Sequence, residues 1–390
     1  MGETIAYPKK ILMVAGDVSG DLHAANLIRA MKTLQPQTHI TAIGGRLMKQ
    51  QADLFLFDLA AQGATGFIEP LKKLPLWLKL LKQIRCFLES QKPDALIVVD
   101  FYGFNRQVLR LAKEFNIPAY YYVTPQVWAS RQYRAKKLAH LTKKMFVIYP
   151  FEPEFHQQFG GNAVFRGNPL LDIMPLPAQA APVTDNPAKK AWKLGLLPGS
   201  RGGEISRLTP VFYQTFKEVL KQFPNTQAYL FALPDADEKQ FLSLLGETPH
   251  PNFHIVKDKN YALRSQMDYL LACSGTATLE NALLGVPMLV AYKMFWPTYQ
   301  IAKMIIKVKH ISLVNILSRK EVVKEFIQHD ANAQTLSAET CRMFACPQLL
   351  AEQREELLKL RASLGEKGVA QRAAQEILQE MDLQKKYAVK

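Results

Sequence analysis

The sequence predicts an α/β protein built from two Rossmann-like halves, each a parallel sheet buried on both faces by helices. Three observations predict it. Short apolar runs recur along the chain with helical patterns between them. A proline-punctuated stretch interrupts that alternation near the middle. Two Gly-bearing, hydroxyl-rich segments, Leu197-Pro-Gly-Ser-Arg-Gly-Gly-Glu204 and Ser274-Gly-Thr-Ala-Thr-Leu-Glu280, each follow an apolar run and lead toward a helix.

Composition sets the outer bounds. A chain of 390 residues exceeds one ordinary core, and 48% apolar with 21% charged residues is a globular balance. The four cysteines, Cys86, Cys273, Cys341 and Cys346, show no metal-ligand pairing, which fits a reduced, intracellular compartment and no bound metal. Residues 1–10 lack the apolar core of a signal peptide, and no apolar run approaches about 18 residues, so neither secretion by that route nor a membrane span is expected. The net charge of +15 asks for an anionic partner: nucleic acid, an anionic membrane or a phosphorylated substrate. No helix-turn-helix, zinc-finger or RNP-type signature is present, so nucleic acid is not the expected partner.

The strand-like runs are Ile11–Val14, Ala95–Val99, Ala119–Val123, Met145–Ile148, Leu194–Leu197, Ala228–Leu233, Leu270–Ala272 and Met288–Ala291. Continuous apolar runs alternating with helices argue for parallel strands buried on both faces. After the first run, Ala24, Leu27, Ile28, Met31 and Leu34 share one helix face. Pro175, Pro177, Pro182 and Pro187 mark a linker over 173–190. The expected division is a first domain over 1–172, that linker, a second domain over 191–336 and a charged helical tail over 337–390, with a crevice between the domains.

Several segments carry chemistry. A Gly-bearing strand-to-helix turn lets a ligand approach the backbone and aims N–H groups at an anion. Gly199, Ser200 and Arg201 in one turn, and Ser274, Gly275 and Thr276 in the other, suit a phosphorylated ligand held between them, with Glu280 as an acceptor for ribose hydroxyls. Two ordinary βα turns, with Glu280 on a solvated face, are the bland alternative. The turn Ala15-Gly-Asp-Val-Ser-Gly-Asp21 lacks G-x-G-x-x-G spacing, and Asp17 and Asp21 would repel a pyrophosphate. They suit sugar hydroxyls; otherwise Asp17 forms the turn and Asp21 caps the helix. Asp100 ends a buried run, where desolvation raises basicity; it is a general base or a turn former. Basic residues cluster at Arg131, Arg134, Lys136, Lys137, Lys143 and Lys144, and again at Lys303, Lys307 and Lys309. Over residues 67–88, Phe67, Ile68 and Leu71 lead into a face of Trp77, Leu80, Leu81, Ile84 and Leu88, with Lys79, Lys82 and Arg85 at other positions. That pattern suits a helix lying in an anionic membrane interface, or one packed on its own sheet.

In order along residues 10–330, Val14–Asp21, Gly44-Gly45, Gly63–Glu69, Asp100-Phe-Tyr-Gly-Phe-Asn105, Tyr122–Trp128, Pro150-Phe-Glu152, Gly167–Asp172, Leu197–Arg201, Ser274–Glu280 and Ser312–Leu317 resemble the lipid-A-disaccharide synthase family. Asp17, Asn168, Tyr102 and Ser130 depart from residues frequent there. The resemblance implies a GT-B fold, two Rossmann-like domains facing a central crevice, and an inverting glycosyltransferase that needs no cofactor or metal. It implies UDP-2,3-diacylglucosamine as donor and 2,3-diacylglucosamine 1-phosphate as acceptor. Asp100 is then the base, and Asn315 joins Gly199, Ser200, Arg201, Ser274, Gly275, Thr276 and Glu280 around the nucleotide. Asp17, Ser19 and Asn105 lie on the acceptor side, and Phe67, Ile68, Leu71, Trp77 and Leu81 dock the membrane. The implied place is cytoplasmic, peripheral on the inner membrane's cytoplasmic face, with a homodimer as a further partner. Another GT-B enzyme using a UDP-N-acetylglucosamine-type donor is the alternative.

Overall fold

The computed structural model describes residues 8–62, 74–129, 131–178, 187–234, 236–257, 260–295 and 310–388. It divides into two units, Met1–Asp172 with Leu364–Lys390, and Ile173–Ser363.

The first unit holds seven parallel strands: β1 (Lys10–Ala15), β2 (His39–Gly44), β3 (Leu54–Asp58), β4 (Ala95–Val99), β5 (Ala119–Tyr122), β6 (Lys144–Val147) and β7 (Ala163–Phe165). Their spatial order is β3-β2-β1-β4-β5-β6-β7, with Ile11 opposite Ala95 in the central pair. Alternate residues of a strand point to opposite faces. Ile11, Met13, Ile97 and Val99 therefore meet Ala24, Leu27, Ile28 and Met31 of helix α1 (Val18–Leu34) on one side. Leu12, Val14, Leu96 and Val98 meet Leu80, Ile84, Leu88, Phe104 and Val108 on the other.

That second layer corrects one expectation. Helix α2 is short (Arg46–Gln51), and α3 spans Leu74–Gln91. Its stripe of Leu80, Ile84 and Leu88 is buried in the core, and Trp77 and Leu81 are partly buried against the same cluster. Burying each Leu or Ile side chain contributes roughly 1.5–3 kcal/mol, so this face stays on its sheet. Trp77 packs edge-on to Phe101 and Phe104, at 5.8 and 5.9 Å between ring centroids. Trp77 and Leu81 therefore pack, partly buried, against this sheet; Phe67, Ile68 and Leu71 lie outside the described residues. Leu78, 58% exposed, and the exposed Lys79 and Lys82 form the outward side. Among the described residues, no helix is long and apolar enough to cross a membrane.

The second unit repeats the plan with β8 (Lys193–Leu197), β9 (Gln227–Ala232), β10 (Phe253–Lys257), β11 (Tyr269–Cys273), β12 (Met288–Tyr292) and β13 (Glu325–Ile327), in the order β10-β9-β8-β11-β12-β13. Its core includes Trp192 stacked on Phe344, ring centroids 4.3 Å apart. In both sheets the chain winds outward in opposite directions from a central pair, β1/β4 and β8/β11. Ligands of such sheets bind at the carboxyl ends of that pair.

The remaining helices are α4 (Tyr102–Glu114), α5 (Tyr133–Leu141), α6 (Glu152–Gln157), α7 (Leu170–Ile173), α8 (Gly202–Leu220), α9 (Glu238–Leu245), α10 (Thr276–Leu284), α11 (Leu313–Ser318), α12 (Ala333–Ala345), α13 (Pro347–Ser363) and α14 (Val369–Ala388). The segment expected as a tail over 337–390 is shared between the units. α12 and α13 pack in the second, whereas α14 returns to the first, laying Ala373, Ala374, Ile377, Leu378 and Met381 on its core. Asp172 receives α14: its carboxylate accepts from the backbone N–H groups of Gly368, Val369 and Ala370 at 2.6, 3.0 and 2.9 Å. Lys9 pairs with Asp382 at 2.6 Å, and Arg166 with Glu376 at 2.6 Å. Of the expected linker over 173–190, residues 179–186 lie outside the described residues, and the Ala178 carbonyl accepts from Arg354.

Candidate active site

In the second unit, the turns after β8 and β11 line one cavity of about 300 Å³, with Gly199, Ser200, Arg201, Ser274, Gly275, Thr276 and Glu280 all on its wall. Gly199 has φ +114°, and a Cβ there would lie 2.6 Å from Glu204 Oε2, so both backbone and space demand glycine. Glu204 organises this turn. Its Oε2 accepts from the N–H groups of Ser200 (3.2 Å) and Arg201 (3.4 Å), and its Oε1 accepts from Arg201 Nη1 at 2.8 Å. Two N–H groups expected to face an anion are thus already engaged. Gly202 and Gly203 open α8, where N–H groups have no acceptor one turn earlier, and the Arg201 side chain remains 80% exposed. The N–H groups of this turn that lack an acceptor one turn earlier are thus those that open α8.

At the second turn, Ser274 Oγ donates to the Ile311 carbonyl at 3.0 Å. Beyond its own chain neighbours, nothing lies within 4 Å of a Cβ built on Gly275, which lines the cavity. The N-terminus of α10 follows, and its dipole favours negative charge. Glu280, one turn into α10, accepts from Arg264 Nη1 at 2.8 Å. The Arg264 guanidinium is buried between the Tyr261 ring (4.9 Å) and the Phe231 ring (5.8 Å).

Asn315 needs a correction. It is fully buried; its Nδ2 donates to the Val323 carbonyl (2.7 Å) and Glu325 Oε1 (2.8 Å), and its Oδ1 accepts from the N–H groups of Val322 and Val323 (2.7 and 3.0 Å). With both ends of the amide satisfied it has no hand for a ligand. It steadies Glu325, whose carboxylate accepts from the Ile311 and Ser312 N–H groups at 2.9 Å each. Asn315 thereby acts on the site through Ile311 and Ser274.

In the first unit, β1 ends at Ala15 and β4 at Val99, and Asp17 and Asp100 follow them. Asp100 (φ +45°) and Phe101 (φ +46°) both take the left-handed conformation, uncommon for residues with side chains. The strain is held from several sides. Asp100 Oδ1 accepts from the Phe101 N–H at 2.8 Å, and the Asp100 carbonyl accepts from Asn105 Nδ2 (2.8 Å) and the Tyr121 hydroxyl (2.5 Å). The Phe101 ring lies over Gly16, where a Cβ would come within 2.0 Å of it. Burial, and next the charge of Asp17, push the Asp100 carboxyl up to about 6.

Asp17, rather than Asp21, is the N-cap of α1: its Oδ1 accepts from the Gly20 N–H at 2.6 Å. Burial raises its carboxyl, against that backbone bond. Asp21 instead reaches across to the start of α2, accepting from the N–H groups of Gly45, Leu47 and Met48 at 2.7, 2.9 and 3.0 Å. Ser19 is exposed on the first turn of α1. Asn105 is fully buried and clamps the Val99 and Asp100 carbonyls, which makes it a support for Asp100. Asn168 is likewise internal, donating to the Ile148 carbonyl at 3.2 Å.

The basic cluster divides. Lys143 and Lys144 pair with Glu380 and Glu376 of α14, Arg134 stacks on the Tyr102 ring at 4.4 Å, and Lys136 and Lys137 are exposed. Lys303, Lys307 and Lys309 lie outside the described residues. Sequence reasoning gave no role to Glu204, Arg264, Tyr121 or Glu325. For Glu204 a signal existed: an acid three residues past a helix cap. The others act across strands, where no local spacing marks them.

A family model described as lipid-A-disaccharide synthetase matches residues 11–380. A lipid-A-disaccharide synthase of Syntrophus aciditrophicus is 36% identical over 372 residues, 94% of this chain and 96% of that one. One from Neisseria meningitidis is 35% identical, covering 95% of this chain and 97% of its own. Among solved structures, a UDP-N-acetylglucosamine 2-epimerase from Neisseria meningitidis bound to UDP-GlcNAc superposes with TM-score 0.61 at 14% identity, over 95% of this chain and 100% of its own. MurG of Acinetobacter baumannii does so with TM-score 0.58 at 15% identity, over 96% and 100%. At such identities these structures speak to the fold, a GT-B arrangement of two Rossmann-like domains.

Proposed function

The chain belongs to the lipid-A-disaccharide synthase family of glycosyltransferases, and from that premise we propose that it moves 2,3-diacylglucosamine from UDP-2,3-diacylglucosamine to the 6-hydroxyl of 2,3-diacylglucosamine 1-phosphate, with inversion. The observation that carries this reading is Asp100: a carboxylate held in a strained turn at a strand's carboxyl end, its pKa raised to about 6. A base poised near neutral pH combines ionisation with proton affinity.

In the proposed step the acceptor 6-hydroxyl loses its proton to Asp100 as its oxygen attacks C1 of the donor sugar. The bond from C1 to the UDP oxygen breaks on the opposite face, and its electron pair leaves with the diphosphate. Arg201, the start of α8 and the start of α10 answer that developing charge. UDP is a good leaving group, so the step asks for no protein acid. Glu280 receives ribose hydroxyls, and Asp17 supports Asp100 and the acceptor sugar.

Both proposed substrates carry acyl chains, which supports a peripheral seat on an anionic membrane surface. With the apolar stripe of α3 committed to the core, Leu78, Lys79 and Lys82 are α3 residues that face outward for that contact. The decisive experiment incubates the purified protein with both diacylated substrates and follows UDP and disaccharide 1-phosphate. Formation of both supports the reading; turnover of UDP-N-acetylglucosamine in their place would replace it with a soluble-donor transferase.

A further inference from the structure

Glu280 presents a difficulty to any nucleotide in the cavity it lines: a bare carboxylate beside a diphosphate repels it. The surroundings of Glu280 answer this. Arg264, carried on the short turn Arg264–Gln266, places Nη1 2.8 Å from Glu280 Oε2 and 3.4 Å from Asn281 Oδ1. Its guanidinium is fixed by the Tyr261 and Phe231 rings. The Tyr261 hydroxyl is held protonated by burial and by the neighbouring charge of Glu280. An ionised carboxylate offers about four lone-pair positions, so these contacts leave acceptor capacity for the cavity.

We propose that Arg264 is the positioning residue for the donor ribose: it cancels the charge of Glu280 and locks its rotamer, so that the site admits a nucleoside diphosphate and still reads its ribose hydroxyls. The inference rests on the nucleotide reading of this cavity given above. Arg264 suits the task because its planar fork orients a carboxylate as a lysine's point charge does not. Burial in an aromatic slot means that little side-chain freedom is left to average the geometry away.

The test is a comparison of UDP with 2′,3′-dideoxy-UDP by calorimetry on the full chain. The wild-type protein should prefer UDP by about tenfold or more, the range of a hydrogen bond to a charged group. Arg264→Gln should bring that preference close to one, and adding Glu280→Ala to it should lower the preference no further. Arg264→Lys should retain part of the UDP affinity but little of the preference. Equal loss of affinity for both ligands in Arg264→Gln, with the preference intact, makes Arg264 a purely structural residue and overturns the proposal. If Arg264→Gln does not fold, Tyr261→Phe and Arg264→Lys carry the test, and an unchanged preference in both overturns it. Absence of UDP binding by the wild-type chain instead brings down the nucleotide reading itself, and this inference with it.

Discussion

The charge of Asp17 acts on Asp100: after burial it is the second cause of the raised carboxyl, and the two residues follow β1 and β4, the central pair of the first sheet. Each is pinned by a backbone N–H, Asp17 by that of Gly20 and Asp100 by that of Phe101. The pair is arranged to keep one carboxylate basic while both remain on the scaffold.

That relationship predicts a pH profile. If Asp100 is the base, only its ionised form accepts the proton, so turnover should be level above about pH 7. Below about pH 6 it should fall tenfold per unit. Asp17→Asn removes a like charge and lets Asp100 ionise more readily, moving the acid limb to lower pH. A limb that stays in place in the variant means another group is titrating.

Asp100→Asn keeps an oxygen for the Phe101 N–H and removes the basicity. Turnover should drop by about 10²–10⁴ while UDP affinity, measured by calorimetry, stays within about twofold. More than about a tenth of wild-type turnover would remove Asp100 from the base position.

Membrane seating should respond to the outward side of α3 and not to its stripe. Lys79→Gln with Lys82→Gln should weaken sedimentation with anionic vesicles by about 1 kcal/mol per residue at low salt, with the melting profile unchanged. Trp77→Ser should instead lower the stability of the first unit, since its ring packs on Phe101 and Phe104. Vesicle binding that ignores both lysines moves the contact elsewhere on the protein.

Asp172→Ala strips three hydrogen bonds from the start of α14. Loss of such a cap costs about 0.5–2 kcal/mol, so amide hydrogen exchange along 369–388 should quicken by up to about thirtyfold. Amides of β8 and β11, in the other unit, should be untouched. Equal acceleration in both units would mean that Asp172 stabilises more than this helix end.

The parts of the fold legible in the sequence were those buried on both faces. β4 and β11 are buried at every position, and their runs Ala95–Val99 and Leu270–Ala272 stand out as uninterrupted apolar text. The edge strands β3, β7, β10 and β13 are half-exposed, lose that continuity and gave no sign. β2 is interior, but its His39-Ile-Thr-Ala-Ile-Gly44 run is broken by polar and small residues. In the site, residues on strand-to-helix turns were visible, because Gly, Ser and Asp mark such turns locally. Whether a side chain meets the ligand or the scaffold was not visible. Asn315 and Asn105 have the right chemistry and the right neighbourhood, yet Asn315 spends both ends of its amide, and Asn105 its Nδ2, on backbone and side-chain groups of their own chain. For α3 the periodicity was sound, but a stripe of Leu and Ile has the same spacing whether it meets a sheet or a lipid.

The return of α14 to the first unit bears on how the protein is made. Residues 173–363 form a unit uninterrupted in sequence, whereas the unit begun at the N-terminus lacks a helix until residues 364–388 have been synthesised. Domains generally complete themselves in the order they are translated. Here the later unit can finish first, while the earlier one waits with the groove for Ala373, Ile377 and Met381 open. A nascent chain stalled late in translation would therefore expose apolar surface on its oldest part, the face that α14 covers last.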